Sequence, residues 1–362
     1  MTTSEKPTRA RRRIGLKDIA REAEVSISTV SHVINGTAKI SDEVRARVLR
    51  IAQELGHFDR QRMQRQGVRL KRLLVAVPGY GMAESEANLF LWSILSALRT
   101  HCDATGVEIV PLSSSDGNLD AEEVVEAVAR ERCDAIMLMH DDRPELLRPL
   151  ARARADLPPM ILVNGEDPEM EIDTVVPQNR FAARQAVRWL TGLGHRNILH
   201  ITWAGRTTIE RRRDGYLDAL AELGRDRAQA SIIAFPAWDL VMAERILSDD
   251  LVRTIERDGI TAIFCASDNV ALHARGVLHR AGLRVPEDIS IVGFDNLIQS
   301  DMSSPPLSSV DVPVKHIGPT ALQLLRDRLT DPPGEPAPAR RIELGCSLVR
   351  RPSVAAPAKE TP

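Results

Sequence analysis

Residues 16–35, LKDIAREAEVSISTVSHVIN, decide the fold of the N-terminal part of the chain. Two short apolar faces at helical spacing are separated by a turn: Leu16, Ile19, Ala20 and Ala23 precede it, and Val30, Val33 and Ile34 follow it. The second segment also carries serines, a threonine, a histidine and an asparagine. Because these residue types lower helix propensity slightly, their concentration here indicates a surface that meets polar groups.

A third helical pattern follows directly. Ser41 suits the N-cap, and Asp42 and Glu43 stand in the first turn, where carboxylates interact favourably with the helix dipole. Its apolar face consists of Val44, Val48, Ile51, Ala52 and Leu55, and Gly56 suits the position just past the end. The three patterns predict a helical head over residues 14–57, preceded by a disordered basic tail, residues 1–13.

Helix, tight turn and second helix is the geometry that places a short helix in the major groove of DNA. Polar side chains such as Ser, Thr, Asn and His can bond to base edges and phosphates. The charge distribution agrees, because residues 1–72 contain 17 Lys and Arg against 8 Asp and Glu, whereas the remainder has 31 against 42. The head is therefore predicted to bind nucleic acid; a solvated basic surface is the alternative.

From residue 73 onward, short apolar runs alternate with helical patterns. The runs are LLVAVP, AIMLM, MILVN, ILHIT, SIIAF, AIFCA and ISIVGF. Continuous runs of this kind are typical of strands buried on both faces of parallel sheets with crossover helices. Since the region is too long for one comfortable core, we expect an α/β body of two lobes.

Other classes of function find little support. The four cysteines, Cys102, Cys133, Cys265 and Cys346, form no CxxC pair, which argues against structural zinc or a disulfide framework. No apolar stretch approaches the roughly 18 residues of a membrane span, and the N-terminus lacks the apolar core of a secretion signal. GxGxxG, HExxH and GxSxG motifs are absent. We therefore expect a cytoplasmic protein without cofactor, metal or catalytic residues, rather than an oxidoreductase.

Two distant motifs carry a family resemblance. LKDIAREAEVSISTVSHVIN followed by ISDEVRARVLRIAQELG resembles the DNA-binding head of the LacI/GalR family of bacterial repressors. FCASDNVALHARGVLHRAGLRVPEDISIVGFDN, residues 264–296, resembles the effector-domain signature of that family. GHRNILHI, RRRDGYLDAL and SPPLSSVDVPVKHIGPTALQLL also match, so the resemblance spans about residues 14–352.

The resemblance implies a homodimeric repressor that binds palindromic operator DNA, with a small effector held between two lobes like those of periplasmic sugar-binding proteins. The chain would cross between lobes near Asn179, Val312 and Asp331. The implied parts are a hinge, residues 58–72; a body, residues 73–352, with an N-lobe of residues 73–178 and 313–331 and a C-lobe of residues 179–312 and 340–352; and a tail, residues 353–362.

In the reading helix, the family contacts base edges at the positions of Ile27, Ser28 and His32, and Thr29 and Asn35 fall where backbone-directed or structural contacts are expected. A ring nitrogen of His32 can bond to a guanine acceptor, whereas Ile27 offers only an apolar contact.

Two parts of the DNA-binding region depart from the family. Glu24 stands in the turn where Gly or Asn is usual, and a left-handed backbone there would cost on the order of 1 kcal/mol. In the hinge, Asp59 and Gln66 replace the usual Pro and the Leu that wedges between bases. Gln66, with Met63 or Val68, is the candidate contact in the minor groove.

The implied effector site lies between the lobes. Arg212 and Asp295 fall on the ligand-facing Arg and Asp of the family, and such a pair can clamp vicinal hydroxyls. The other candidates are Phe90 and Trp238 for stacking, Arg206 and Thr208 at positions used by purine-binding members, and Asn164 and Ser267 as polar groups.

Charge predicts the class of effector. Gln178 replaces the acid of an Asp-Asn pair that is usual in the family near the first crossing, and Arg206 adds a cation, which favours a ligand with negative charge such as a sugar acid or phosphate. The expected effector is a sugar or sugar acid. For the effector, the alternative is a purine-type or phosphorylated co-repressor. For the protein, the alternative is a sugar sensor that does not bind DNA, which the basic head disfavours.

Overall fold

The computed structural model describes residues 16–35, 40–41, 44, 47–48, 51, 70–79, 89–114, 117–237, 240–331 and 337–357. The chain separates into two compact units, residues 1–69, which contain the head, and residues 70–362, which form the body. Among the described residues, no helix combines the length and apolarity that a membrane crossing requires.

The head contains the predicted helix-turn-helix, formed by α1 (Leu16–Glu22) and α2 (Ile27–Asn35). Ile19, Ala23 and Val30 are buried in its core, which Val48 and Ile51 of the predicted third helix join. Residues 44, 47, 48 and 51 are helical, while the ends of that third helix lie outside the described residues. The head is thus held together by the apolar faces that the sequence periodicity predicts.

The first lobe of the body contains a six-stranded sheet in which every strand pair is parallel. Its strands are β1 (Arg72–Val77), β2 (Glu108–Ser113), β3 (Ala135–Met139), β4 (Met160–Val163), β5 (Asp173–Pro177) and β11 (Arg341–Leu344), in the spatial order β11-β5-β4-β3-β1-β2. The helices between these strands are α3 (Leu89–Thr105), α4 (Ala121–Glu131) and α5 (Pro144–Arg152).

The second lobe contains another six-stranded sheet, parallel except at one edge. Its strands are β6 (Ile198–Trp203), β7 (Ser231–Phe235), β8 (Ala262–Cys265), β9 (Ser290–Asp295), β10 (Ser308–Asp311) and β12 (Ser347–Val349), in the order β12-β10-β9-β8-β6-β7, and β12 is antiparallel to β10. The helices are α6 (Asn179–Gly192), α7 (Thr207–Ala221), α8 (Leu240–Asp258), α9 (Asp268–Arg280) and α10 (Ile298–Met302), with a short 3-10 helix, Arg227–Gln229. The last of the described helices, α11 (Val314–Arg328), packs on α3 of the first lobe.

The chain passes between the two sheets after β5, after β10 and between β11 and β12. We expected a third crossing near Asp331, with residues 340–352 in the C-lobe. This prediction is wrong for β11, because β11 pairs with β5 of the first sheet. The physical reason is a buried carboxylate at the start of β5. Asp173 accepts two hydrogen bonds from the Arg328 guanidinium, at 2.6 and 2.7 Å, and one from the Arg340 backbone N–H at 2.7 Å. These bonds bring β11 beside β5, so the chain crosses only after Leu344.

In the second lobe, α6 and α7 pack closely because Gly215 has no side chain. A Cβ atom at this position would overlap the carbonyl oxygen of Arg180 and come within 2.9 Å of the Ala183 Cβ atom. The close packing fixes the start of α7, which carries several of the predicted effector residues.

Candidate DNA-reading helix and effector site

The exposed face of α2 carries the predicted base-reading residues. Ile27 is 44% exposed, and Ser28 and His32 are exposed as well, opposite the buried Val30 and Val33. Ser26 caps the helix, since its Oγ accepts a hydrogen bond from the Thr29 backbone N–H at 3.0 Å. Ile27, Ser28 and His32 therefore lie on the face of α2 opposite its buried residues.

The Ser26 cap also organises two of the predicted contact residues. Its Oγ lies 2.9 Å from the Ser28 Oγ and 2.8 Å from the Thr29 Oγ1. The side chain of Asn35, as well as Met63 and Gln66 of the hinge, lie outside the described residues. The proposed DNA contacts of these three residues, like those of Ile27, Ser28, Thr29 and His32, stay predictions.

The turn between α1 and α2 has the left-handed residue that the sequence suggested. Glu24 has a φ of +53°. Its backbone N–H donates to the Arg21 carbonyl at 3.3 Å, and the Val25 N–H donates to the Ala20 carbonyl at 3.0 Å. This pair of bonds is the Schellman arrangement that ends many helices, and its left-handed position is usually glycine. Glu24 thus adds a backbone strain on the order of 1 kcal/mol to the head.

In the body, the carboxyl ends of β3 and β4 lie close to the start of α7, so groups from both lobes meet there. Arg206, just before α7, donates from Nη2 to the carbonyl oxygen of Asn164 at 2.7 Å. Its Nη1 lies 2.5 Å from Nε2 of His140. Asn164 and His140 follow β4 and β3, with φ values of +54° and +66°. Non-glycine residues in this region are strained and are frequent at functional sites.

A second cluster surrounds Arg212, one turn further along α7. Its Nε donates to the Asn179 Oδ1 at 2.9 Å, and its Nη1 donates to the Ala266 carbonyl at 2.6 Å. The same Nη1 lies 3.0 Å from the Asp295 Oδ1, and the guanidinium stacks on the Phe294 ring at 3.7 Å. Burial raises the pKa of Asp295 to about 6, although Arg212 and Arg206 act in the opposite direction. The pair predicted from the family resemblance is therefore formed, in a poorly solvated place.

The loop that carries Asp295 is anchored by Asp268, a residue that the sequence analysis did not select. One Asp268 carboxylate oxygen accepts from the Leu297 backbone N–H at 2.7 Å and the Ser300 hydroxyl at 2.6 Å, and the other accepts from the Ser309 hydroxyl at 2.5 Å. Burial, together with the nearby charge of Asp295, raises the pKa of Asp268 to about 7. Asp268 thus positions the Asp295 loop.

Two further polar contacts join the lobes along α7. Thr207 donates a hydrogen bond from its hydroxyl to Asp142, which follows β3. Arg211 donates from Nε to the Glu166 Oε2 at 2.9 Å, and Arg341 of β11 binds both oxygens of that carboxylate, at 2.8 and 2.6 Å. Glu166 therefore links α7 of the second lobe to two elements of the first.

The other predicted effector residues lie in different surroundings. Thr208 is buried one turn before Arg212 on α7, whereas the Ser267 hydroxyl caps α9 by accepting from the Val270 backbone N–H at 3.3 Å. Phe90 is buried in the hydrophobic core beneath α3. Trp238 lies outside the described residues. The effector roles of all the predicted residues, including those that the structure brings together, stay predictions.

A separate pocket of about 420 Å³ lies at the opposite end of the first sheet. Its lining includes Met160 and Asp173, which begin β4 and β5, together with Arg154 and Arg328. Because Asn164 follows the other end of β4, this pocket is not part of the interlobe site.

His140, Asp142 and Glu166, which form the first-lobe side of the site, were not predicted from the sequence. A signal for them exists: MHDD and NGED follow directly on two predicted strands, AIMLM and MILV. In open parallel sheets, ligands bind outside the carboxyl ends of strands, so polar residues at these positions are candidates for a site.

Comparison with known proteins agrees with this architecture. Residues 15–58 match the bacterial regulatory proteins of the lacI family, and residues 187–354 match the periplasmic binding protein-like domain. The HTH-type transcriptional repressor PurR of Erwinia tasmaniensis is 31% identical over 349 residues, which are 94% of this chain and 96% of the relative. This chain belongs to the lacI family.

Other members of the lacI family extend the comparison. The ribose operon repressor of Haemophilus influenzae is 27% identical and aligns with 88% of this chain and 92% of its own length. A solved complex of the transcriptional regulator CelR with cellobiose is 26% identical, with a TM-score of 0.63, and the match covers 94% of this chain and all of that one. These relatives are transcriptional regulators rather than enzymes. The lacI-family chain is a DNA-binding transcription regulator with a helix-turn-helix head and a periplasmic-binding-protein-like body, as the sequence predicts.

Proposed function

We propose that this regulator represses transcription as a homodimer on a palindromic operator, and that a sugar or sugar acid bound between the lobes changes its operator affinity. The observation that carries the proposal is the meeting of groups from both lobes at the start of α7. A ligand seated among Arg206, Arg212, Asn164 and Asp295 contacts both lobes at once. Such a ligand binds one lobe arrangement better than another, which is the only requirement for regulation.

The chemistry of the site suits a polyhydroxylated ligand. Arg212 and Asp295 present a donor fork beside a carboxylate, the combination that clamps neighbouring hydroxyls. Among the described residues, the buried Thr208 Oγ1 has no hydrogen-bond partner. Buried polar atoms are normally paired, so this hydroxyl is a candidate for a bond to a ligand hydroxyl. The names of two relatives, a ribose operon repressor and a regulator solved in complex with cellobiose, support the same class of ligand.

The guanidinium groups of Arg206 and Arg212 extend the proposal to acidic sugars. Asp295 is the carboxyl group paired with Arg212, so one carboxylate faces two guanidinium groups. Gln178, just before α6, contributes no charge where the family usually has an acid. A sugar carboxylate next to Arg206 would restore the balance of charge.

The remaining parts of the proposal follow from the DNA partner. A single small head buries too little surface for tight specific binding, so two heads related by a twofold axis are expected to read a palindrome. We place the protein in the cytoplasm, where the operator is, and assign it no enzymatic activity. The proposed parts are the head, residues 14–57; the hinge, residues 58–72; and the two-lobed body, residues 73–352.

A binding titration tests the proposal. The full-length chain is titrated onto a fluorescent duplex, obtained by selection from random sequences, in the presence of neutral sugars, sugar acids or purines. We expect at least one sugar or sugar acid to change operator affinity by tenfold or more, an ordinary allosteric coupling of about 1.4 kcal/mol. A response to purines alone would overturn the assignment of the effector.

A further inference from the structure

We propose that His140 determines the preference for acidic effectors: when an effector carboxylate takes the place of its imidazole on Arg206, His140 takes up a proton and becomes the second donor to that carboxylate. This inference rests on the proposed binding of a sugar or sugar acid between the lobes. It adds a residue that the sequence analysis did not select and a pH dependence that the family resemblance does not supply.

The position of His140 makes contact with an effector feasible. The residue follows β3, and its backbone N–H donates to the Val163 carbonyl at 3.0 Å, which fixes it beside Asn164. The Nε2 atom lies 2.5 Å from the Arg206 Nη1, across the boundary between the lobes. His140 and Arg206 are both partly exposed, so a ligand can reach the bond between them.

The hydrogen bonds determine the tautomer of the ligand-free imidazole. A guanidinium N–H can only donate, so Nε2 must be the bare, accepting nitrogen and Nδ1 carries the proton. The Asn164 Nδ2 lies 2.8 Å from Nδ1, and the oxygen and nitrogen of a side-chain amide exchange places when the amide is flipped. Because Nδ1–H needs an acceptor, we assign the amide oxygen to this contact and the NH2 group to the opposite side. Asn164 thereby holds the ring with Nε2 directed at Arg206.

Arg206 and His140 can distinguish a sugar acid from a neutral sugar, because a carboxylate and a hydroxyl differ in the hydrogen bonds they can form. A hydroxyl placed between Arg206 and His140 accepts from the guanidinium and donates to the bare Nε2, so the imidazole stays neutral. A carboxylate has only acceptors, and it can bond to Nε2 only if that nitrogen carries a proton. Binding of an acid is therefore linked to protonation of His140, whereas binding of a neutral sugar is not. Charge-assisted bonds on both sides of the carboxylate then favour the acid.

The charges around His140 agree with a proton that arrives only with the ligand. Burial, and then the positive charges of Arg206 and Arg212, hold its pKa well below 6.5. Of the acids that follow in the chain, Asp141 is bound by the Arg143 guanidinium at 2.8 Å, and Asp142 accepts from Thr207. A ligand carboxylate beside the ring opposes the two arginines and raises the pKa of His140. Acid affinity consequently increases as the pH falls through the raised value.

Two other carboxyl groups titrate in the same range and must be separated from His140. Burial raises the pKa of Asp295 to about 6 and that of Asp268 to about 7. Both take part in the site, so proton uptake by the wild type alone does not identify the group. The comparison with variants of His140 does.

Calorimetry of the full-length protein tests the proposal. The probes are D-gluconate with D-glucitol and D-galacturonate with D-galactose, each titrated in buffers of different ionisation enthalpy between pH 6 and 8. For the acid that binds, we expect proton uptake in the part of this range where His140 is neutral without the acid and protonated with it, and there an affinity gain of up to about tenfold per pH unit as the pH falls. His140→Leu and His140→Asn should lose this uptake, while His279→Leu, on the exposed end of α9, should keep it.

The outcomes separate the two proposals. Uptake that persists in both His140 variants would assign the proton to the carboxyl groups and overturn this inference, with the effector proposal intact. A wild type that binds neither acids nor neutral sugars would overturn the effector proposal itself. If the variants do not fold, ¹⁵N spectra of histidine-labelled wild type decide. Both ring nitrogens of one histidine must become protonated when the acid binds, and an imidazole that stays neutral would contradict the inference.

Discussion

The Arg212 guanidinium and the Asp295 carboxylate form an ion pair at 3.0 Å in the interlobe site, and both side chains are buried. Burial raises the pKa of Asp295 to about 6 against the effect of Arg212 and Arg206, so the carboxylate gains little from being charged there. The pair therefore contributes less to folding than its short distance suggests, which is consistent with a role in binding a ligand.

Asp295→Asn and Arg212→Leu should separate the two roles. We expect Asp295→Asn to lower the free energy of unfolding by only about 1 kcal/mol and to reduce the effector response at least tenfold, because an acceptor for ligand hydroxyls is lost. Arg212→Leu should cost about 3 kcal/mol or more, since it leaves Asp295, Asn179 and the Ala266 carbonyl without their donor. Urea unfolding and operator titrations measure the two effects. Equal losses of stability in both variants would contradict this reading.

Glu24 offers a direct test of backbone strain in the head. Its φ of +53° occupies the left-handed position of a Schellman turn, so Glu24→Gly should stabilise the head by about 1 kcal/mol. Glu24→Ala is the matched control: it also removes the carboxylate but keeps the Cβ atom that causes the strain. Hydrogen exchange of α1 and α2 in the full-length chain reports the gain. An equal effect of both substitutions would show that the charge, not the backbone, is responsible.

His200 is expected to make the body sensitive to acid. It is buried between Tyr216 and Phe264, its Nδ1–H donates to the Phe264 carbonyl at 2.9 Å, and burial lowers its pKa from 6.5 to about 4. The folded state holds the ring neutral, so His200 contributes fully to the free energy of unfolding above pH 6.5. As the pH falls from 6.5 toward 4, the free energy of unfolding decreases by about 3 kcal/mol.

The substitution His200→Phe keeps the stacking and should remove that part of the pH dependence. Its control, His279→Phe, changes an exposed ring on α9 and should leave the dependence as it is. Unfolding free energies measured between pH 4 and 7 give the comparison. A wild-type slope retained by His200→Phe would contradict the assignment to His200.

Gly215 tests the close packing of α6 on α7. Gly215→Ala introduces a Cβ atom against the Arg180 carbonyl oxygen, and we expect a loss of about 2 to 3 kcal/mol in the free energy of unfolding. The control is Gly276→Ala on α9, where the nearest atom, the Arg280 Nη1, is 3.6 Å from the new Cβ. There, the helix should gain about 0.5 to 1 kcal/mol. Comparable destabilisation at both sites would refute the packing argument.

His32 lies on the exposed face of α2 and is the proposed reader of a base edge. His32→Ala should weaken binding to the selected operator about tenfold and binding to unrelated DNA less than twofold, because one base contact is worth roughly 1 to 3 kcal/mol of discrimination. Competition titrations with both duplexes measure the ratio. An equal loss on both would indicate contact with the DNA backbone.

Much of the fold is predictable because its signals are local. The continuously buried strands β1, β3, β4 and β8 coincide with apolar runs in the sequence. β11 is different, since Arg341–Leu344 alternates charged and apolar residues and is only partly buried. Its place depends on bonds to Asp173, far away in sequence, which no local pattern reveals.

The residues of the site also divide into those that the sequence predicts and those that only the folded chain brings together. Arg206, Arg212 and Asp295 were predicted from the family resemblance, and the structure brings them to the start of α7. His140, Asp142 and Glu166 were not selected, because a polar residue after a strand does not reveal its partner. Only the folded chain shows that Arg206, Thr207 and Arg211 reach across to them.

Selection of DNA by the intact protein tests the central claim most directly. The full-length chain, in moderate salt, is presented with a pool of random duplexes, and the bound fraction is sequenced after several rounds. We expect enrichment of one sequence with two half-sites related by twofold symmetry, as a pair of identical heads requires. Recovery of unenriched sequences, with affinity set by salt alone, would contradict the assignment of the head as a reader of an operator.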